Sequence, residues 1–161
     1  FVGYRYYDKN SSDIWFPFGH GLSYTKFEYS DLKLEKNYSE KEDDEIKISF
    51  KIKNTGSMPG KETAQLYIGY KKSVVLRPEK ELKGFEKLYL EPGEEKTVEL
   101  TISHDDLKYY NICLKKWHLE SGTYSILVGA SCSDIRLCAE YTVKNPNDYT
   151  IGKRKSELNM A

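Results

Sequence analysis

Between Glu45 and Asn54 every second side chain is apolar: Ile46, Ile48, Phe50 and Ile52 fall on one side of an extended chain, Lys47, Ser49, Lys51 and Lys53 on the other. A strand with one face buried and one solvated satisfies that period, and a helix does not. The pattern begins near Phe27 and recurs in Ala64, Leu66 and Ile68, in Val98, Leu100 and Ile102, in Tyr124, Ile126 and Val128, and in Leu137, Ala139, Tyr141 and Val143. Between the runs stand Asn54-Thr55-Gly56, Met58-Pro59-Gly60, Glu91-Pro92-Gly93, Ser121-Gly122 and Ser131-Cys132-Ser133-Asp134, all rich in turn-forming residues. No long amphipathic helical stretch competes with this reading. The pattern predicts an all-β chain, about seven short strands in two antiparallel sheets over one core.

A chain of 161 residues suits one domain. At this size about 68–70% of the unfolded surface is buried on folding, enough for a core without staples. Lys plus Arg and Asp plus Glu both number 25, so the formal net charge is zero. That balance supplies no field to attract nucleic acid or an anionic membrane, and neither is expected as a partner. No apolar run approaches the roughly 20 residues that span a bilayer, and no charged-then-apolar leader opens the sequence. With Phe1 where an initiator methionine would stand, the chain reads as part of a longer protein. Cys113, Cys132 and Cys138 form an odd, sparse set without a C-x-x-C pair, which predicts free thiols and favours the cytoplasm over secretion.

Little in the sequence carries chemistry of its own. His20 lies between two glycines and suits a structural hydrogen bond, while His104 precedes Asp105-Asp106 where Ser103 and Asp105 suit a cap. His118, beside Trp117 on a short strand, is expected at the surface. No histidine stands at metal-ligand spacing from another, and the acidic run 40–45 lacks the glycine and ligand spacing of a calcium loop. No G-x-S-x-G elbow marks a nucleophile. No catalytic residue, metal site or cofactor is therefore assigned.

Aromatics are the stronger signal. Phe16-Pro17-Phe18-Gly19-His20-Gly21-Leu22-Ser23-Tyr24-Thr25 follows neither period, and its rings, glycines and proline suit a segment clamped at an interface. Tyr109, Tyr110 and Trp117 cluster at a loop edge and are the best stacking positions for a sugar ring. Exposed, coplanar rings there would favour sugar binding, and buried rings a packing role.

Together with Val2-Gly3-Tyr4-Arg5-Tyr6-Tyr7-Asp8, the aromatic run resembles the stretch that joins the catalytic unit of glycoside hydrolase family 3 enzymes to their C-terminal fibronectin type III-like domain. The likeness continues in order through Asn54-Thr55-Gly56, Gly60-Lys61-Glu62, Gln65-Leu66-Tyr67, Lys80-Glu81-Leu82-Lys83-Gly84-Phe85 and Glu91-Pro92-Gly93-Glu94. It ends with Trp117, Leu119-Glu120, Gly122-Thr123-Tyr124, Val128-Gly129 and Asp134-Ile135-Arg136-Leu137. The resemblance implies an immunoglobulin/fibronectin type III-like β-sandwich over residues 27–145. Residues 1–26 would be a packing segment from the end of an α/β domain, and 146–161 a polar tail. It further implies a non-catalytic accessory domain of a retaining β-glucosidase, or β-xylosidase, whose nucleophilic aspartate and acid/base glutamate lie on other domains. The partners would be those catalytic domains, met through Trp15, Phe16, Phe18, His20, Leu22 and Tyr24, with β-glucosides or oligosaccharides reached through the parent. Without that cover Tyr4, Tyr6, Tyr7 and Trp15 would stand bare or fold back. A carbohydrate-binding module is one alternative; a fibronectin-type adhesion module is another, disfavoured by a single copy and an odd cysteine count.

Overall fold

The computed structural model describes residues 1–10, 13–41, 44–70 and 72–148. Glu42 and Asp43 of the acidic run, and the tail from 149 onward, lie outside the described residues. In chain order the elements are α1 Tyr4–Asn10, β1 Phe27–Leu34, β2 Tyr38–Ser39, β3 Glu45–Asn54, β4 Gly60–Gly69, β5 Glu81–Leu90, β6 Glu95–Ser103, a 3₁₀ turn His104–Leu107, β7 Tyr109–Asn111, β8 Lys116–His118, β9 Gly122–Gly129 and β10 Ile135–Val143. The seven long strands are those with the alternating pattern, plus β5.

They form two sheets, β1-β3-β6 and β2-β10-β9-β4-β5, while β7 and β8 pair only with each other. All long pairings are antiparallel, and the two-residue β2 lies parallel to β10. Between the sheets sit Ile46, Ile48, Phe50 and Ile52 of β3, Val98 and Ile102 of β6, and Ala64, Leu66, Tyr124, Ile126, Val128, Tyr141 and Val143 of the larger sheet. The period of two puts these residues inward and the lysines of β3 outward. This is the sandwich that the alternation predicts.

Asn54 closes one end of the sandwich. Its buried side chain donates to the carbonyls of Met58 (2.8 Å) and Leu90 (3.0 Å), and its Oδ1 accepts from Gly56 N (3.0 Å) and from the Thr25 hydroxyl (2.6 Å). One amide thus ties the β3–β4 turn, the end of β5 and the chain entering β1. Ser103 precedes the 3₁₀ turn, with its backbone N–H donating to the Asp106 carboxylate (2.9 Å) as the sequence suggests for a cap. His104 follows, buried, with Nε2 3.0 Å from the Tyr141 hydroxyl.

Strand β4 breaks the one-face rule. Ala64, Leu66 and Ile68 enter the core as expected, yet the outward Gln65 and Tyr67 are only 5% and 0% exposed. A second layer must cover the outer face of the sheet, and among the described residues Tyr4, Phe18 and Gly19 are part of it.

Candidate functional site: an aromatic face on the larger sheet

The layer is built outward from a bulge. Leu66 pairs with Gly84 and Tyr67 with Leu82, so Lys83 is the extra residue in β5. The amide of Leu82 then donates to the Tyr4 hydroxyl at 2.8 Å. Tyr4 sits at the start of α1, follows Gly3 at φ +62°, and packs its ring edge-on to Tyr67 (5.9 Å, 80°) and stacked on Phe18 (5.1 Å, 28°). Ion pairs from Arg5 to Glu81 (3.3 Å) and from Lys80 to Asp8 (2.7 Å) pin the same short helix. Of the four aromatics expected bare or folded back, Tyr4 has folded back onto the sandwich. Tyr6, Tyr7 and Trp15 remain exposed.

The aromatic run is held by its middle. The Phe18 carbonyl accepts from Cys132 N (2.9 Å), and Gly19, at φ +81°, lies against the Gln65 side chain, which itself donates to the Ala130 carbonyl (2.9 Å) and accepts from the Tyr67 hydroxyl. Burial raises the pKa of both the Tyr67 hydroxyl and the Cys132 thiol. On either side of this anchor the side chains face solvent. Trp15 is 92% exposed, Phe16 73%, Leu22 94% and Tyr24 99%, with Phe18 half covered and His20 tilted against Phe16 at 5.4 Å. Phe85 stands opposite Gln65 across the β4–β5 ladder and shares its outer face, 64% exposed; Tyr89 projects from the same face of β5. Those two escaped the sequence reading, although the alternation of β5 would have placed them outside.

The other aromatic cluster lies on the β7–β8 ribbon. Tyr109 pairs with His118 and Tyr110 with Trp117. The first pair faces the sandwich: Arg77 lies over the Tyr109 ring at 5.7 Å, and His118 Nε2 meets Asp148 Oδ1 at 3.0 Å. His118 is thus buried at 5% exposure, correcting the surface position expected for it, because period two puts it opposite in direction to Trp117. Tyr110 and Trp117 are 49% and 64% exposed, with rings 5.8 Å apart at 77°, so they form a corner rather than a coplanar platform. Beneath the ribbon Glu120, 1% exposed, accepts from Ser73 Oγ (2.6 Å) and Val74 N (2.9 Å) and faces Arg77 at 3.9 Å. No disulfide joins Cys113, Cys132 or Cys138. Among the described residues no group of three or more His, Cys, Asp or Glu is placed to hold a metal ion, and no helix is long and apolar enough to cross a membrane.

A two-sheet antiparallel sandwich with this strand order belongs to the fibronectin type III-like class, and residues 62–132 match the fibronectin type III-like domain family. The chain is 56% identical over 137 residues to thermostable β-glucosidase B of Acetivibrio thermocellus, covering 85% of this chain and 18% of that protein. It is 49% identical over 148 residues to a β-glucosidase of Kluyveromyces marxianus, covering 89% and 17%. The crystal structure of the latter enzyme in complex with glucose superposes with a TM-score of 0.81 at 48% identity, over 89% of this chain and 17% of that one. β-Glucosidase 3B from Thermotoga neapolitana in complex with glucose gives 0.79 at 40% identity, over 88% and 19%. The chain belongs to the fibronectin type III-like domains found in the C-terminal portion of family 3 β-glucosidases. It spans less than a fifth of the length of these relatives and corresponds to a non-catalytic part of them.

Proposed function

We propose that the chain braces the catalytic domains of a family 3 β-glucosidase of which it is one part, with Trp15, Phe16, Phe18, His20, Leu22 and Tyr24 as the contact. The observation that carries this reading is the exposure of Trp15, Phe16, Leu22 and Tyr24, from 73% to 99%, on a segment whose middle is fixed to the sandwich. Apolar side chains grouped on a fixed surface gain from being covered, at about 25 cal/mol per Å² of apolar area removed from water. The identity to β-glucosidases that are far longer than this chain supports a cover made by the rest of the same polypeptide. A brace acts on rate through position. Misplacing a catalytic group by about 1 Å costs of order 10²-fold.

The test is the double substitution Leu22→Ser with Tyr24→Ser, made both in the 161-residue chain and in the full-length glycosidase. Both side chains are almost fully exposed, so the 161-residue chain keeps its melting temperature. The full-length enzyme is expected to lose melting temperature and kcat on an aryl β-glucoside together. Unchanged stability and kcat in the full-length enzyme would end the bracing reading.

A further inference from the structure

The β7–β8 ribbon lies outside both sheets, and its Tyr109–His118 face is the one held against the sandwich among the described residues. Tyr109 and His118 anchor it to the Arg77 and Asp148 side chains, and the turn between its strands is tight enough to hold Lys115 at φ +51°. The outward pair, Tyr110 and Trp117, does nothing for the core, yet the anchored face holds both rings in a set position. They line a cleft of about 580 Å³ together with Leu76 and Pro78 of the loop before β5 and with Arg5 and Glu81. That volume lies within the range of small-ligand sites, about 300–1,000 Å³.

The chemistry of the lining is two-fold. Trp117 offers an exposed ring face, and Leu76, 61% exposed, adds apolar surface. The Arg5–Glu81 pair, 3.3 Å apart with Arg5 46% exposed, offers donors beside an acceptor. A pyranose whose hydroxyls are all equatorial has the matching division: its C–H groups make two apolar faces, and its rim carries hydroxyls that each donate and accept. A single exposed ring is enough to take one such face, so the perpendicular setting of Tyr110 closes the side of the site instead of extending a platform.

We propose that this cleft binds a β-linked gluco-oligosaccharide, with one pyranose face stacked on Trp117 and its hydroxyl rim hydrogen-bonded to Arg5 and Glu81. The choice of a gluco-configured sugar rests on the β-glucosidase reading above; the site rests on the ribbon and the cleft. Trp117 is remote in sequence from the segment 15–24, so the bracing reading and this one fail separately.

The chain has two tryptophans, and Trp15→Phe leaves Trp117 as the only one. Titrating that variant with cellotetraose is expected to give a saturable change in tryptophan emission, and saturation-transfer NMR on the sugar protons gives the same affinity without relying on the indole. Trp117→Ala, followed by NMR, weakens binding roughly tenfold or more, which corresponds to about 1.4 kcal/mol, while Trp117→Phe retains most of it. Circular dichroism confirms that both variants stay folded. No saturable response to cello-, xylo- or manno-oligosaccharides by either method overturns the site, as does wild-type affinity in Trp117→Ala. Saturation by manno-oligosaccharides without cellotetraose binding keeps the cleft but overturns the gluco assignment.

Discussion

Two residues decide geometry out of proportion to their size. Gly19 combines φ +81° with an approach to Gln65 that a Cβ would block, and the Gln65 amide cannot swing away without leaving Ala130 and Tyr67. Gly19→Ala is expected to cost about 1–2 kcal/mol from backbone conformation alone, read as a lower urea midpoint at unchanged m-value. An unchanged midpoint would mean that the strap does not press on β4. Glu120 is the other. It is buried with Arg77, whose side chain is 8% exposed, and removing it leaves that guanidinium with Glu81 at 3.5 Å as its remaining carboxylate. Breaking a buried pair from one side costs about 3–5 kcal/mol, so Glu120→Ala is expected near the low end, measured by thermal and urea unfolding. A cost below about 1 kcal/mol, the usual worth of an exposed ion pair, would show that the network beneath the β7–β8 ribbon is not tight.

At the scale of elements, β3 shows what was legible and β4 what was not. Nothing beyond the alternation of Ile46, Ile48, Phe50 and Ile52 is needed to place β3, because its neighbours β1 and β6 leave its outer face to water. Gln65 and Tyr67 alternate with Leu66 in the same way, yet both are buried, since the cover comes from Tyr4 and Gly19, distant in sequence. Local period cannot report a contact made by a remote segment. The same reason hid His118, whose anchor Asp148 lies 30 residues on. The strap itself was visible as a dense aromatic run with no period and through the resemblance that makes it a packing segment, whereas Phe85 and Tyr89, exposed on the outer face of β5, went unread although the alternation of that strand places them there. Tyr4 tests how the strap contributes to stability. Tyr4→Phe leaves the Leu82 amide without its partner, at a cost of about 1 kcal/mol, whereas Tyr4→Ala also removes the ring contacts with Phe18 and Tyr67, adding about 0.5–1.5 kcal/mol for each. Hydrogen exchange should show the Leu82 amide losing protection in both variants while β3 amides keep theirs. Equal protection of Leu82 in wild type and Tyr4→Phe would rule out the bond that ends the bulge.

At the scale of the whole molecule the buried tyrosines shape the response to alkaline pH. Tyr29, Tyr67, Tyr70, Tyr124 and Tyr141 all have their hydroxyl pKa raised, and in each case burial is the leading cause. Each hydroxyl also has a fixed partner: Glu62 for Tyr29, Gln65 for Tyr67, the Ser121 carbonyl for Tyr70, the Glu120 carbonyl for Tyr124 and His104 for Tyr141. A phenolate at any of these sites would be a buried charge, and at all but the last it would face an acceptor. Unfolded tyrosine titrates at about 10, while Tyr70 in the folded chain is pushed up to about 12. Between those values the folded state holds protons that the unfolded state has lost, so stability is fully present below pH 10 and falls as pH rises towards 12. Urea midpoints measured on either side of pH 10 should therefore decline in step with the release of the buried phenols, followed by phenolate absorbance. Tyr70→Phe should flatten the decline without abolishing it, because the other four groups still titrate. A midpoint independent of pH across this window would mean that the hydroxyls reach water in the native state, and that the core between the sheets is more open than its burial implies.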